Sequence, residues 1–178
     1  LKTIYKLNDI WLSWCNDVDV IQGFVPGDTT YRFYYTGDGL PKVSNYNLAV
    51  SSPPYPAASF VLGVSTPTTA PTITLVSPGP GASRSVTYVY TYVSAFGEES
   101  GPSPPSVILT TTDGAAVTVS AMLPAAAPHN ENLNRMRIYR AITGSSYTEF
   151  LFVKEVPYFT ASTSESVADA DLGEALIT

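Results

Sequence analysis

The chain has 178 residues, enough for one domain with a sizeable core, or one domain with a smaller partner. Nine Lys and Arg against fifteen Asp and Glu give a net charge of −6, which leaves no basic footprint for a nucleic-acid partner. Membrane insertion is not expected either, because no apolar run approaches the length of a membrane span.

Charged residues make up only 13%, and 15 Pro, 12 Gly and 12 Tyr accompany abundant Ser and Thr, a composition of short strands and many turns. So little charge leaves two readings of the exterior: a Ser/Thr-rich solvated surface, or one buried against neighbouring subunits. Cys15 stands alone, so neither an intrachain disulfide nor a multi-cysteine zinc site is available. It follows Trp14 in an apolar-aromatic run and is expected in a core.

The sequence begins with Leu1 and enters a strand-like pattern at once, as expected of a portion of something longer. Residues 10–14 read as a strand, and Val18, Val20 and Ile21 follow among Asp17 and Asp19. Residues 23–29 read as a loop and 31–36 as a strong strand ended by Gly37-Asp38-Gly39; Asp-Gly between strand-forming runs signals a hairpin, whose return begins at Pro41. Residues 51–56 carry consecutive prolines and read as a turn or extended connector. The division is placed there: an N-terminal β-rich segment over 1–56 and a β-sandwich over 57–178.

Short strands are expected over 60–64 and 72–76, with a tight turn at 78–81. Residues 85–106 are the most informative. Val89, Thr91, Val93 and Ala95 fall on one face of a strand, and Tyr88, Tyr90 and Tyr92 on the other. The pattern stops in Gly97, Gly101, Pro102, Pro104 and Pro105, which cannot continue a sheet interior. The aliphatic set is expected to face the sandwich core; the tyrosine set needs cover from the first fifty residues or a neighbouring subunit.

Beyond it, residues 107–111 and 117–119 read as strands joined by Asp113-Gly114, residues 124–132 as a loop, and 135–141 and 150–156 as strands flanking a hairpin at 143–146. A final strand over 160–167 and a helical turn or tail over 169–176 complete the chain. Arg135 and Arg137 alternate with Met136 and Ile138 and so read as the outer face of their strand, with Arg140 close by. No stretch keeps a helical period over three turns. The fold class is therefore all-β, an antiparallel β-sandwich plus a smaller N-terminal β segment.

Catalytic chemistry finds little footing. The one histidine, His129, sits in a loop, no Gly-x-Ser-x-Gly elbow accompanies it, and no motif supports a Cys15–His129 dyad. Asp17 and Asp19 would share a strand face, and Glu98 and Glu99 form a turn pair, so neither flanks a bond as paired catalytic carboxylates must. Asp169, Asp171 and Glu174, or Asp17, Asp19 and Asp28, could gather oxygens for calcium, but the spacing lacks the twelve-residue loop pattern, and solvated turn acids are the expectation. No enzyme, cofactor or metal is expected. The aromatic residues Trp11, Trp14, Tyr31, Phe33, Tyr34 and Tyr35 read as core plus interface, or as a platform for sugar rings. The candidate packing and interface residues are Tyr88, Tyr90, Tyr92, Trp11, Trp14 and Tyr34.

Two resemblances refine this reading. The pattern Val89-x-Thr91-x-Val93-x-Ala95-Phe96-Gly97-Glu98-Glu99-Ser100, with Pro102 and Pro104 beyond, resembles the penultimate strand of a fibronectin type III module and its turn into the last strand. Val117-x-Val119, then Pro124, then Met136-Arg137-Ile138-Tyr139-Arg140 resembles the strand, proline loop and strand of that module's first half. The usual module carries these in the opposite order, which implies a permuted sandwich, two part-modules or a related fold. Over nearly the whole chain, the ordered phrases WLSWCNDVDV, RFYYTGDGLPKV, YVYTYVSAFGEESGPSPPS, RIYRAITGSSYTEFLFVKEV and SVADADLGEAL resemble a structural protein of tailed bacteriophages. This resemblance implies a virion subunit of the phage tail (tube, nozzle or connector) that forms a homo-oligomeric ring or tube and contacts other tail proteins. The alternative is an extracellular β-sandwich module that binds carbohydrate or a host surface.

Overall fold

The computed structural model describes residues 1–122, 130–143 and 149–177; His129, Pro124 and residues 144–146 of the expected hairpin lie outside the described residues. Two compact units emerge, one of Leu1–Gly63 with residues 130–132, the other of residues 64–122 with Leu133 onward. The division falls at Gly63 rather than at Pro56. The reason is a short strand, Phe60–Val61, that pairs back into the first unit and whose Val61 N–H donates to the Asn130 carbonyl at 2.8 Å.

The first unit opens with a hairpin of β1 (Thr3–Leu7) and β2 (Ile10–Trp14). Its two-residue turn, Asn8-Asp9, places Asn8 at φ 52°, a conformation that asparagine tolerates. A four-stranded antiparallel sheet follows, in the order β3 (Asp19–Gln22), β4 (Phe33–Thr36), β5 (Lys42–Ser44), β6 (Phe60–Val61). The Asp-Gly hairpin joins β4 to β5 with Tyr35 opposite Lys42, and Lys42 Nζ reaches Asp38 at 2.6 Å. Gly37, at φ 97°, begins that turn, where a side chain would run into the Asp17 backbone. Leu7, Leu12, Trp14, Val18, Phe33, Tyr35 and Ala49 form the core.

The all-β reading holds, with a single helical turn, α1 (Tyr46–Ala49), in this unit; four residues are too few to show a period, but Asn45 caps it by accepting from the Leu48 N–H at 2.9 Å. One expectation fails here. Cys15 is exposed, not a core thiol, for it comes one residue after the buried Trp14.

The second unit is an antiparallel β-sandwich. Its strands are β7 (Thr72–Ser77), β8 (Ser83–Ser94), β9 (Leu109–Thr112), β10 (Ala116–Ser120), β11 (Leu133–Thr143), β12 (Leu151–Pro157) and β13 (Ser162–Glu165). A four-stranded sheet, β12-β11-β8-β9, faces a three-stranded one, β13-β10-β7. The first supplies Val86, Tyr88, Tyr90, Tyr92, Met136 and Ile138 to the shared core, and the second Ile73, Val117 and Val119.

The expected orientation of β8 is thereby corrected. Its tyrosines make the sandwich core, with the Tyr92 ring centroid 5.7 Å from that of Tyr90 and 5.4 Å from that of Tyr158. Thr91 and Val93, read as the core face, are fully buried on the opposite side of the sheet. Arg137 lies opposite Thr91 and Tyr139 opposite Val89 on β11, and the Thr91 hydroxyl donates to Glu99 at 2.6 Å. Long polar side chains thus cover what alternation alone would leave to solvent.

One edge of β8 pairs with β11 along residues 85–94. The other pairs with β9 only through Val86 and then meets the serines of Ser100-Gly101-Pro102-Ser103-Pro104-Pro105-Ser106. The N–H groups of Ser100, Ser103 and Ser106 donate to the carbonyls of Tyr92, Tyr90 and Tyr88, each at 2.9 Å. The Tyr92, Tyr90 and Tyr88 N–H groups donate in return to the same serine hydroxyls at 3.0–3.1 Å. Each hydroxyl donates to the carbonyl of the residue after it.

A step of three residues in the ribbon therefore matches a step of two in the strand, and the intervening residues bow outward. Three of those four are prolines, which have no N–H to leave unpaired. Replacing Ser103 with Ala strands the buried Tyr90 N–H and is expected to lower stability by about 1–3 kcal/mol in urea unfolding. Unchanged stability would show that the hydroxyl is not the partner of that amide.

Candidate interaction surfaces

In the first unit, strand alternation sends several large apolar side chains outward. On the β1–β2 hairpin, Tyr5, Leu7, Leu12 and Trp14 turn inward, while Ile4 and Trp11 are 57% and 58% exposed. On the sheet, Ile21 lies opposite Tyr34, and with Leu62 they border a shallow hollow of about 180 Å³. Of the six candidate contact residues, Trp11 is exposed and Tyr34 half-buried. Trp14 is buried in the core of its unit, and Tyr88, Tyr90 and Tyr92 in theirs, so these four are packing residues, not outer contacts. Phe24, 84% exposed in the loop after β3, is an outward aromatic that the sequence reading did not single out.

The outer face of the sandwich's four-stranded sheet carries a polar ladder. Arg137 donates from Nη1 to Glu99 at 2.6 Å and from Nε to Glu155 at 3.0 Å; Arg135 reaches Glu155 at 3.3 Å; the Tyr139 hydroxyl donates to Glu99 at 2.6 Å. The Glu155 contact, aided by Glu99, holds the Arg137 guanidinium more firmly protonated than usual. Burial, with Glu99 beside it, pushes the Tyr139 phenol up to about 12. Glu99, read as one of a turn pair, is thus the hub of this ladder. Beside it a groove of about 530 Å³ is lined by Arg137, Tyr139, Phe152 and the tail around Glu174.

That tail acts as an added strand. The Gly173 N–H donates to the Phe152 carbonyl at 2.8 Å, the Phe152 N–H to the Glu174 carbonyl at 2.9 Å, and the Leu176 N–H to the Phe150 carbonyl at 2.8 Å, which occupies the free edge of β12 at its start. Gly173 fits because a side chain there would press on the Phe152 ring.

A second polar network is buried between the two sheets. Arg140 has the same strand parity as Met136 and Ile138 and so points inward, where its side chain is fully buried. It donates to Glu165 of β13 at 3.0 Å, to Asp169 at 2.9 Å and to the Val167 carbonyl at 2.9 Å. Glu165 also accepts from the Tyr88 hydroxyl and the Val167 N–H, and Asp169 forms an ion pair with Arg84, itself paired with Asp113. Burial opposes the charge on Arg140, but Glu165, Tyr88 and Asp169 more than offset it. Burial and the Glu165 charge push the Tyr88 phenol well above its usual range. The Asp169 N–H, then Arg84, hold the Asp113 carboxyl below the usual carboxylate range.

Two of the carboxylates weighed as calcium ligands already have protein partners. Asp169 is committed to two guanidinium groups, and Asp28 to the Thr30 N–H and hydroxyl and to Arg32. Among the described residues, no three His, Cys, Asp or Glu side chains converge as a metal site would need, and no helix is long and apolar enough to cross a membrane. His129 lies outside the described residues.

No protein-family model matches this sequence, and no curated protein does. The Arg140 cluster makes its own prediction. Arg140→Met leaves Glu165 buried without its cation and is expected to cost about 3–5 kcal/mol. Arg140→Met with Glu165→Leu, which removes both charges, is expected to recover part of that loss in urea unfolding. An Arg140→Met protein as stable as the parent would contradict the assignment.

Proposed function

We propose that this chain is a structural subunit of a tailed-bacteriophage virion, placed in the tail, that works by self-assembly and by contacts with other tail proteins. The observation that carries this reading is the outward apolar surface of the first unit: Ile4, Trp11 and Ile21 each more than half exposed, on regular strands rather than loops, in a chain with only 13% charged residues. Apolar side chains on strand faces stay solvated at a cost unless a neighbour covers them. The ordered phrases that resemble tail structural proteins support the same reading.

The sandwich fits it as a fibronectin type III-like module with altered strand order. Three strands face four, and β8 precedes β10 and β11, as the inverted order of the two sequence patterns suggests. The described polar clusters are internally paired, Glu99 and Glu155 with Arg137, and Glu165 and Asp169 with Arg140, which supports a framework role over a catalytic one.

A second reading rests on Trp11, whose exposed indole could stack on a sugar face in a carbohydrate-binding module. Mass photometry and negative-stain electron microscopy of the purified chain separate the two. The assembly reading expects rings or short tubes that Trp11→Ala weakens. A chain that remains monomeric at its highest soluble concentration, and that binds glycans in a Trp11-dependent way, would overturn it.

A further inference from the structure

The first unit holds a pocket of about 270 Å³ that the assembly reading does not use. Trp14 and Tyr35 form part of its lining, with Asp38 and Lys42 from the β4–β5 hairpin and Tyr55 and Pro56 from the connector before β6. That connector is pinned in place. The Ser13 N–H donates to the Tyr55 carbonyl at 2.9 Å, the Ala57 N–H to the Ala49 carbonyl at 2.8 Å, and the Ser44 hydroxyl to the Ala58 carbonyl at 2.8 Å. The walls are therefore set before a ligand arrives, which lowers the cost of binding one.

One lining residue is left incomplete by the protein. Trp14 is only 6% exposed, and its indole N–H has no acceptor among the described residues. Buried donors without a partner are costly and rare in folded proteins. The Tyr35 ring, with its centroid 5.3 Å from that of Trp14, is a weak substitute for an oxygen acceptor. The Lys42 ammonium has three N–H groups and spends one on Asp38 at 2.6 Å, while standing 5.6 Å from the Tyr35 ring centroid. The Asp38 carboxylate takes Lys42 on one oxygen and the Asn16 amide on the other at 3.1 Å, which leaves lone pairs on both. Donors in need of an oxygen, an acceptor with capacity and aromatic walls thus meet in one pocket.

We infer that this pocket binds a single sugar ring. The Asp38 and Lys42 charges cancel, so the pocket does not select an ion of either sign. Its indole and ammonium N–H groups need oxygen acceptors, and Asp38 needs an O–H donor; a sugar hydroxyl is both in one group. The C–H face of the same ring suits Trp14, Tyr35 and Pro56. The volume lies just below the usual range for drug-sized ligands, which fits one ring rather than a chain of them. Trp11, on the same strand, points to the opposite face, so this site is separate from the exposed indole. Sugar binding in the pocket neither requires nor excludes assembly.

The test is titration of the whole isotope-labelled chain with glucose, galactose, mannose and N-acetylglucosamine, one at a time, followed by nuclear magnetic resonance. The chain's 2 Trp give separate indole N–H signals, which Trp11→Phe assigns. At least one sugar is expected to move the Trp14 signal and slow its exchange with solvent. Lys42→Ala is expected to weaken that binding roughly tenfold or more, as for loss of a hydrogen bond to a charged group. Trp14→Phe keeps a ring but removes the N–H and is expected to weaken it as well. The Lys42–Asp38 pair is partly exposed and worth little to stability, so Lys42→Ala reads binding even where Trp14→Phe fails to fold. No response at Trp14 to any sugar would overturn the site, and a cross-peak from its indole proton to a bound water would then name the acceptor. A response at Trp11 alone, or binding that Lys42→Ala leaves unaltered, would overturn it too. Mass photometry of the same samples reads assembly separately. Rings with a silent Trp14 would sink this inference alone, and a monomer whose Trp14 responds to sugar would sink the assembly reading alone.

Discussion

Strand β8 has to satisfy two edges and two faces within one protein unit, and most of the sandwich is arranged around that requirement. Its inner face carries tyrosines into the core, its outer face is roofed by Glu99, Arg137 and Tyr139, and one edge is filled by β11. The fourth side is the demanding one, because β9 covers only its first residues. A strand with both faces buried cannot leave amides unpaired at low cost. The serine ribbon meets that need with side-chain hydroxyls where a regular strand would use backbone carbonyls. Its prolines follow from the same constraint, since residues that bow out of a ladder do best without a donor.

The buried ion pairs play a different part. Arg140 and Glu165 come from opposite sheets, so their contact fixes how the two layers meet. Pairs of this kind add little net stability over a well-packed apolar alternative, but they penalise every arrangement that separates them. Arg84, Asp113 and Asp169 extend the network to the segment after β13, which leads into the tail strand along β12. Polar contacts thus run from Asp113, at the end of β9, to the segment that leads along β12.

Alternation in the sequence located the strands well: the Asp-Gly hairpin, the Ile10–Trp14 strand and the antiparallel strands β11 and β12 lie where the pattern puts them. It did not decide which face of β8 was the core. Both faces are buried, and tyrosine and β-branched residues fit either equally well in a pattern. What separates them is the polar cover supplied by β11 and Glu99, a long-range contact invisible within one strand. Arg140 was legible in principle, because it shares the parity of Met136 and Ile138, but an arginine on a core face is believable only once Glu165 is seen beside it. The exposure of Cys15 follows from the same parity rule. α1 gave no signal beyond its capping asparagine. Trp11 and Tyr34 kept an outward aspect, while Trp14 and the three tyrosines were drawn into cores.

Side-chain hydroxyls complete the backbone bonding of β8. Amide hydrogen exchange at single-residue resolution tests this most directly, at Tyr88, Tyr90 and Tyr92. These amides are expected to exchange as slowly as those of Met136 and Ile138 on the neighbouring strand, through global unfolding alone. Exchange at the pace of loop amides, with β11 still protected, would contradict it.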